Sequence, residues 1–436
     1  MEDGSNLSAS DLRIDRWGER ARKALLTAWG VVAVALLRHR EVISSDTLSN
    51  YVHVWYISEQ LWNGHGLPFH MPVLASGDAL AFPYGFLPWM VAVLLWPLLG
   101  EWSVTLCIGV GFVALIGTTF LAFPEVKRGW WAVAVLLNPA LFYALLMGQL
   151  PFMWAGALLL GAIAAWRHDR RKLAVVLAAL AQITHAPIVL PLTALTVLVY
   201  SQYAPDPAAR RSLLRHWIVS TLPALPAAWI VFASPVAIDA SPLYTLWIEI
   251  ETLALRSLIV LVPVAMIQLQ KRDLRRSAPA WAAGMLVLSQ LLTIPFSGMI
   301  VGWGAITRRP DPALAAIPKS ALFVPGATYR VLTSADAKFG LYAVVRGGGR
   351  IDSEFFPESM HRSSFKDEHE YAAFLTRRRV DFVIAQHRYK RFRTNELDLL
   401  RELSAPAAGC FDGIELRSVE AAPTFDLYAV ERGCKT

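Results

Sequence analysis

Charge is what this sequence has least of. Only 17% of its 436 residues are Asp, Glu, Lys or Arg, against about 25% in ordinary soluble domains. Hydrophobic residues reach 55%, above the usual range of about 45–50%. That balance excludes an ordinary soluble globule. Cysteine is nearly missing too: Cys107, Cys410 and Cys434 are the three, and no two have metal-ligand spacing. There is no P-loop and no Asp-x-Asp pair, so no nucleotide-sugar site is indicated. A cleavable signal peptide is not evident. The first twenty residues are polar, and the run from Ala24 to Leu37 is followed by Arg38-His39-Arg40 rather than small residues.

What is present in quantity is apolar length. Runs of near-spanning size lie at about 24–42, 82–99, 103–123, 130–147, 150–166, 173–201, 217–234, 254–270 and 278–300, and a membrane crossing needs about 20 residues. Most are expected to be single crossings. The longest, 173–201, is interrupted by His185-Ala186-Pro187. Proline removes a backbone donor and disfavours helix in the residue before it. That run reads as two short helices meeting at His185, or one strongly bent helix.

Basic residues near the ends of the runs set orientation. Arg13 to Lys23, "RHDRRK" at 167–172, "ARRSLLRHW" at 209–217 and "KRDLRR" at 271–276 are expected inside. These loops account for most of the net charge of +7, so nucleic-acid binding is not indicated. Lys127-Arg128 fits this scheme poorly; either one flanking run is a half-crossing or the pair is tolerated outside. The scheme places a loop at 43–81, and everything after Trp303, on the outer side. Nearly half of all charged residues follow Trp303.

The expected fold class is therefore an α-helical polytopic membrane protein with a small C-terminal extracytoplasmic α/β domain. Residues 1–23 form a cytoplasmic segment, 24–302 the transmembrane domain with its long first loop at 43–81, and 303–436 the outer domain. In that loop Thr47 to Trp62 is amphipathic, with Leu48, Val52 and Trp55 on one face. In the outer domain "TYRVLTS" (328–334), "LYAVVRGG" (341–348), "DFVIAQH" (381–387) and "FDLYAVER" read as strands, and 365–380 and "NELDLLREL" as helices. If the domain is outside, Cys410 and Cys434 are free to pair, because oxidation is permitted there.

A first outer loop with an early acid ("SSDTLSNYVHVW"), an amphipathic helix, and Gly-Pro followed by "FPYGFLPW" resembles the GT-C superfamily of polytopic membrane glycosyltransferases. "NPALFYALLMGQLPFMWAGALLLG" (138–161) and the broken "LAALAQITHAPIVLPL" resemble it as well. The resemblance implies transfer of a sugar from a polyprenyl-phosphate carrier to an acceptor outside the cytoplasm, usually with inversion, in the cell's inner or plasma membrane. The acceptor would be a glycan, a lipid or a protein. No cofactor is implied beyond the lipid-linked donor, and a divalent metal is left open.

Such chemistry needs a base for the acceptor hydroxyl at the level of the lipid headgroups. Asp46 stands where the pattern places its acid; "SSD" is also an ordinary helix start. Asn50 and His53 share its helical face, and His53 would orient the acid or contact phosphate. Asp78 is the second candidate base, in what otherwise reads as a turn. The leaving phosphate needs positive charge or oriented donors. Arg256, near Glu249 and Glu251, is the first candidate, with His185 and Gln149 at helix ends beside the same face. Arg308-Arg309 more simply suits lipid headgroups. Tyr84, His65 and His70 are candidate sugar contacts, and Asp352 and Glu354, in "VVRGGGRIDSEFF", candidate acceptor contacts. That glycine run otherwise reads as a turn, and "HRYKRFR" (387–393) as a basic edge. Two rival classes fit the same composition. One is a transporter or flippase of lipid-linked substrates, which would favour repeated halves; none is visible. The other is a non-catalytic membrane subunit presenting its outer domain.

Overall fold

The computed structural model describes residues 9–38, 47–74, 79–81, 83–146, 148–202, 206–233, 242–272, 274, 277–297, 316–332, 338–352, 365–386, 395–405, 409–421 and 425–434. Two compact units emerge. Residues 1–41, 83–233 and 249–306 make a helical unit, and 42–82, 234–248 and 307–436 a sheet unit. In chain order the helices are α1 (Ala9–Leu36), α2 (Thr47–Trp62), α3 (Phe86–Leu99), α4 (Trp102–Ala122), α5 (Gly129–Leu136), α6 (Pro139–Leu146), α7 (Leu150–Arg167) and α8 (Arg171–Thr184). Then follow α9 (Ala186–Gln202), α10 (Pro207–Thr221), α11 (Leu225–Ala233), α12 (Pro242–Lys271), α13 (Ala278–Ser297), α14 (Lys338–Arg346), α15 (Glu368–Arg377) and α16 (Glu396–Leu403).

Among the described residues three helices are long and apolar enough to cross a membrane: Trp102–Ala122, Leu150–Arg167 and the Leu253–Lys271 part of α12. A chain carrying them is a membrane protein. Because lipid is as apolar as leucine, such helices associate by close packing and interhelical hydrogen bonds rather than by escape from water. Gly111 of α4 shows this. A Cβ there would come within 2.6 Å of the Trp154 ring, and the Trp154 indole donates to Cys107 O at 2.9 Å. Any larger residue at 111 would separate α4 from α7.

The run 130–147 is not one continuous helix. It breaks at Leu137-Asn138 into α5 and α6, because Asn138 followed by Pro139 is a strong helix start that a hydropathy window does not register. The Asn138 side chain accepts from Ala140 N at 2.9 Å and donates to Leu258 O at 2.7 Å. Trp29 donates to Leu136 O at 3.2 Å and the Ser289 hydroxyl to Leu137 O, so the opened carbonyls are met by side chains. The run 217–234 likewise divides, at Leu222–Ala224, where Pro223 and Pro226 stand. The run 173–201 is two helices meeting at His185.

In the sheet unit β1 (His70–Met71) pairs with β2 (Ala79–Leu80). The main sheet comprises β3 (Thr328–Leu332), β4 (Arg350–Ile351), β5 (Phe382–Gln386), β6 (Ile414–Ala421) and β7 (Phe425–Arg432). Its order is β4-β3-β5-β7-β6. β3 is parallel to both β4 and β5, with Tyr329 opposite Ile351 and Phe382; β7 runs antiparallel to β5 and β6. α15 and α16 cover a core of Tyr371, Phe374, Leu375, Leu400, Val383 and Leu416, each worth about 1.5–3 kcal/mol when fully removed from water. Cys410 and Cys434 are disulfide-bonded, their Cα atoms 5.7 Å apart.

One expected strand is a helix. "LYAVVR" belongs to α14, and Tyr342, Ala343, Val344 and Val345 are all buried, so consecutive positions find cover where a half-exposed strand would alternate. The three glycines then end that helix. Gly347 N and Gly349 N donate to Ala343 O and Val344 O, both at 2.9 Å, and Gly348 has φ 91°. The run is therefore a helix stop. The first loop folds with this unit. Tyr51 of α2 meets Tyr342 at 6.0 Å between centroids, Arg346 lies 5.3 Å over the Trp55 ring, and Ile351 N donates to Val73 O at 2.8 Å.

Candidate functional site

The helical unit gathers four of the nominated residues. α8 ends at His185, whose backbone (φ −149°, ψ 68°) leaves the helix before Pro187 restarts it in α9. Gly85 reaches this break. Its N–H donates to Thr184 O at 3.2 Å, and its φ of 68° is one that a side chain resists. A Cβ there would also sit 2.5 Å from the Trp89 ring. Gly85 thereby sets its neighbour Tyr84 against His185. The Tyr84 hydroxyl lies 3.4 Å from Nε2, and the two rings meet edge to face at 5.3 Å.

Gln149 occupies the N-cap of α7, held there by its own N–H to Ala144 O at 2.9 Å. Its Oε1 accepts from Arg256 Nε at 3.0 Å. The Arg256 guanidinium also lies 5.3 Å from the centroid of Phe152 and acts electrostatically on His185. Gln149, His185 and Arg256 are 5%, 4% and 8% exposed. The side chains of Glu249 and Glu251 lie outside the described part. Among the described residues no carboxylate pairs with Arg256, and its partner is a neutral amide. A buried arginine is normally paired or coordinated, and a ring face returns only about 0.5–2 kcal/mol. Neither contact neutralises the charge. At the end of α8, Thr184 Oγ1 and His185 Nδ1 are buried with no hydrogen-bond partner among the described residues. The cluster thus holds a cation and two unused polar atoms, as suits an anionic group.

Other nominated residues fall elsewhere. His53 is half-buried on α2, and its Nδ1 donates to Ser49 O at 2.6 Å, which fixes the tautomer. His65 and His70 are exposed in the sheet unit. Asp46, Asp78, Arg308, Arg309, Glu354 and 387–393 lie outside the described residues. Asp352 is 1% exposed and bonded to Arg330 Nη1 at 2.6 Å, while Arg330 forks onto both oxygens of Glu396. Burial alone would lower the Arg330 guanidinium, yet the two carboxylates hold it well above its ordinary range. Asp352 is thereby committed to an internal ion cluster, which corrects its reading as an acceptor contact: Ile351 and Asp352 turn into the core, not out to a ligand. Sequence reasoning missed Arg330 and Glu396. An arginine inside the strand pattern "TYRVL" was the available signal, since a buried strand position accepts arginine only with partners.

Among the described residues no group of His, Cys, Asp and Glu is arranged to hold a metal ion. Neither a known protein family nor a curated protein sequence matches the chain. Among solved structures it is similar to ArnT from Cupriavidus metallidurans in the apo state, at 13% identity and TM-score 0.49, over 93% of this chain and 97% of that one. The undecaprenyl-phosphate complex of ArnT gives 12% and 0.48 over the same shares. The oligosaccharyltransferase of Archaeoglobus fulgidus gives 11% and 0.44, over 83% of this chain and 69% of that one. At such identities and TM-scores none of these likenesses decides what this chain does.

Proposed function

We propose that the protein is a membrane glycosyltransferase of GT-C type that moves a sugar from a polyprenyl-phosphate donor to an extracytoplasmic glycan, lipid or protein acceptor. The observation that carries this reading is Arg256, a buried cation hydrogen-bonded to neutral Gln149, with the orphaned polar atoms of Thr184 and His185 at the end of α8. The first-loop acid and the disulfide of the sheet unit, which suits an oxidising compartment, agree with it.

In this mechanism the acceptor oxygen attacks the anomeric carbon on the face away from the phosphate, inverting it. The acceptor proton passes to the Asp46 carboxylate. The bond between the anomeric carbon and the phosphate oxygen breaks, and the lipid phosphate leaves with that electron pair and one more negative charge. Arg256 meets the charge as it develops, through a charge-assisted hydrogen bond in a site that excludes water. Gln149 holds the guanidinium in place, and His185, oriented by Tyr84, offers a further polar contact. His53 would orient Asp46.

The test is transfer of labelled sugar from polyprenyl-phosphate donors by purified protein, with polyprenyl-phosphate binding measured separately. Asp46→Asn should abolish transfer and leave binding intact; Arg256→Met should weaken both. Transfer unchanged by Asp46→Asn removes the base. Binding unchanged by Arg256→Met removes the phosphate site. Movement of donor across the bilayer without sugar transfer would favour a flippase instead.

A further inference from the structure

A second site lies in the helical unit, around the Arg167 end of α7. There α7, α8, α9 and α10 leave an open groove of about 70 Å³ lined by Leu159, Trp166, Ala178, Val197, Leu213 and Trp217, among others. The lining is almost wholly apolar. Thr193, Thr196 and Ser220, which also line the groove, spend their hydroxyls on their own helices.

The charge at the end of this groove has a single sign where it matters. On α8 the groove-lining positions are Ala174, Val175 and Ala178, and Arg171 stands one turn before them on the same face. On α10 they are Leu213, His216, Trp217 and Ser220, and Arg210 stands one turn before those. Arg171 is held flat over the Trp166 ring at 3.8 Å. Its pair with Asp169 is exposed, of a kind worth about 0–1 kcal/mol and readily exchanged. Asp206 is engaged with Ala209 N at the α10 cap, and Glu125 with Arg167. His216 is turned to Ser212 O at 2.7 Å. An apolar slot with two arginines at its mouth makes a complement to an amphiphile with an anionic head.

We propose that this groove binds part of one acyl chain of an anionic membrane phospholipid, with Arg171 and Arg210 on its phosphate. The site is separate from the Arg256 cluster and does not depend on the sugar-transfer reading. Native mass spectrometry of the full chain, given equal phosphatidylglycerol and phosphatidylcholine, tests it. The wild type should retain the anionic lipid by about tenfold or more. The double variant Arg171→Gln, Arg210→Gln should bring that ratio close to unity. A photoactivatable acyl chain on phosphatidylglycerol should label 174–178 and 213–217 in the unaltered protein, which keeps the test open if a variant misfolds. Equal retention by the wild type, a preference that survives the double variant, labelling elsewhere, or polyprenyl phosphate displacing the phospholipid from these positions would each overturn the proposal.

Discussion

Two arginines, one in each unit, are buried to nearly the same depth and treated in opposite ways. Arg330 of the sheet unit is 4% exposed and sits between two carboxylates, Asp352 and Glu396, with the Phe374 ring 4.5 Å away. Arg256 of the helical unit is 8% exposed and is given an amide and a ring. The first charge is fully answered from within the fold. The second is positioned but not answered by any described residue. A buried charge that the protein neutralises itself is architecture; one that it only aims suits a ligand.

The sharpest way to break this contrast is to remove each cation in turn. Arg330→Met leaves two carboxylates facing each other in the core, and should cost about 3–5 kcal/mol of stability, read as a large drop in the melting temperature of the purified protein. Restoring neutrality with Asp352→Asn and Glu396→Gln in the same chain should recover part of it. Arg256→Met should do the reverse. Melting should change little, while sugar transfer should fall by about 10²–10³-fold, the usual loss on removing one donor from a developing anion. If Arg256→Met unfolds the protein and Arg330→Met does not, the roles are exchanged and the distinction fails.

Two smaller effects belong to the sheet unit alone. Reduction of the Cys410–Cys434 bond, which closes a loop with a sequence separation of 24, should cost about 3 kcal/mol and lower melting of this unit without touching the Arg256 cluster. The smallest effect concerns His369. Its Nδ1 lies 2.6 Å from Asp412, and that hydrogen bond raises the imidazole above its ordinary value of 6.5. A raised histidine adds stability that is fully present below the unfolded value and is lost as pH rises through the folded one. Melting followed from about pH 5.5 to about pH 8.5 should therefore decline slightly in the wild type, and the slope should flatten in Asp412→Asn.

The sequence was legible where local chemistry and burial agree. The break at His185 could be read because proline removes a backbone donor and disfavours helix in the residue before it. α15 could be read because its periodicity matches a half-exposed layer, and β5 and β7 because their β-branched and aromatic runs suit buried strands. Gln149, His185 and Arg256 were chosen as polar residues in apolar surroundings, and the fold brings all three together with Tyr84. Legibility failed where neighbours distant in sequence decide. "LYAVVR" has strand composition, yet contacts from α2 and the glycine stop make it a helix. Asp352 looked available beside a glycine turn, but Arg330, twenty-two positions earlier, turns it inward. The Asn138-Pro139 break was visible in principle and lost to a hydropathy window that averages over it.

The hydrogen bond from Ile351 to Val73 has a practical bearing on anyone who would cut the molecule at its obvious seam. β4 is the outermost strand on its side of the main sheet, and a segment from near the start of the chain occupies its rim. A fragment beginning after Trp303 would lose that guard together with the α2 cover over Tyr342. It would offer bare strand edge and apolar ring to other copies of itself. Excised for study, the C-terminal part of the sheet unit should be produced with residues 47–81 tethered to it.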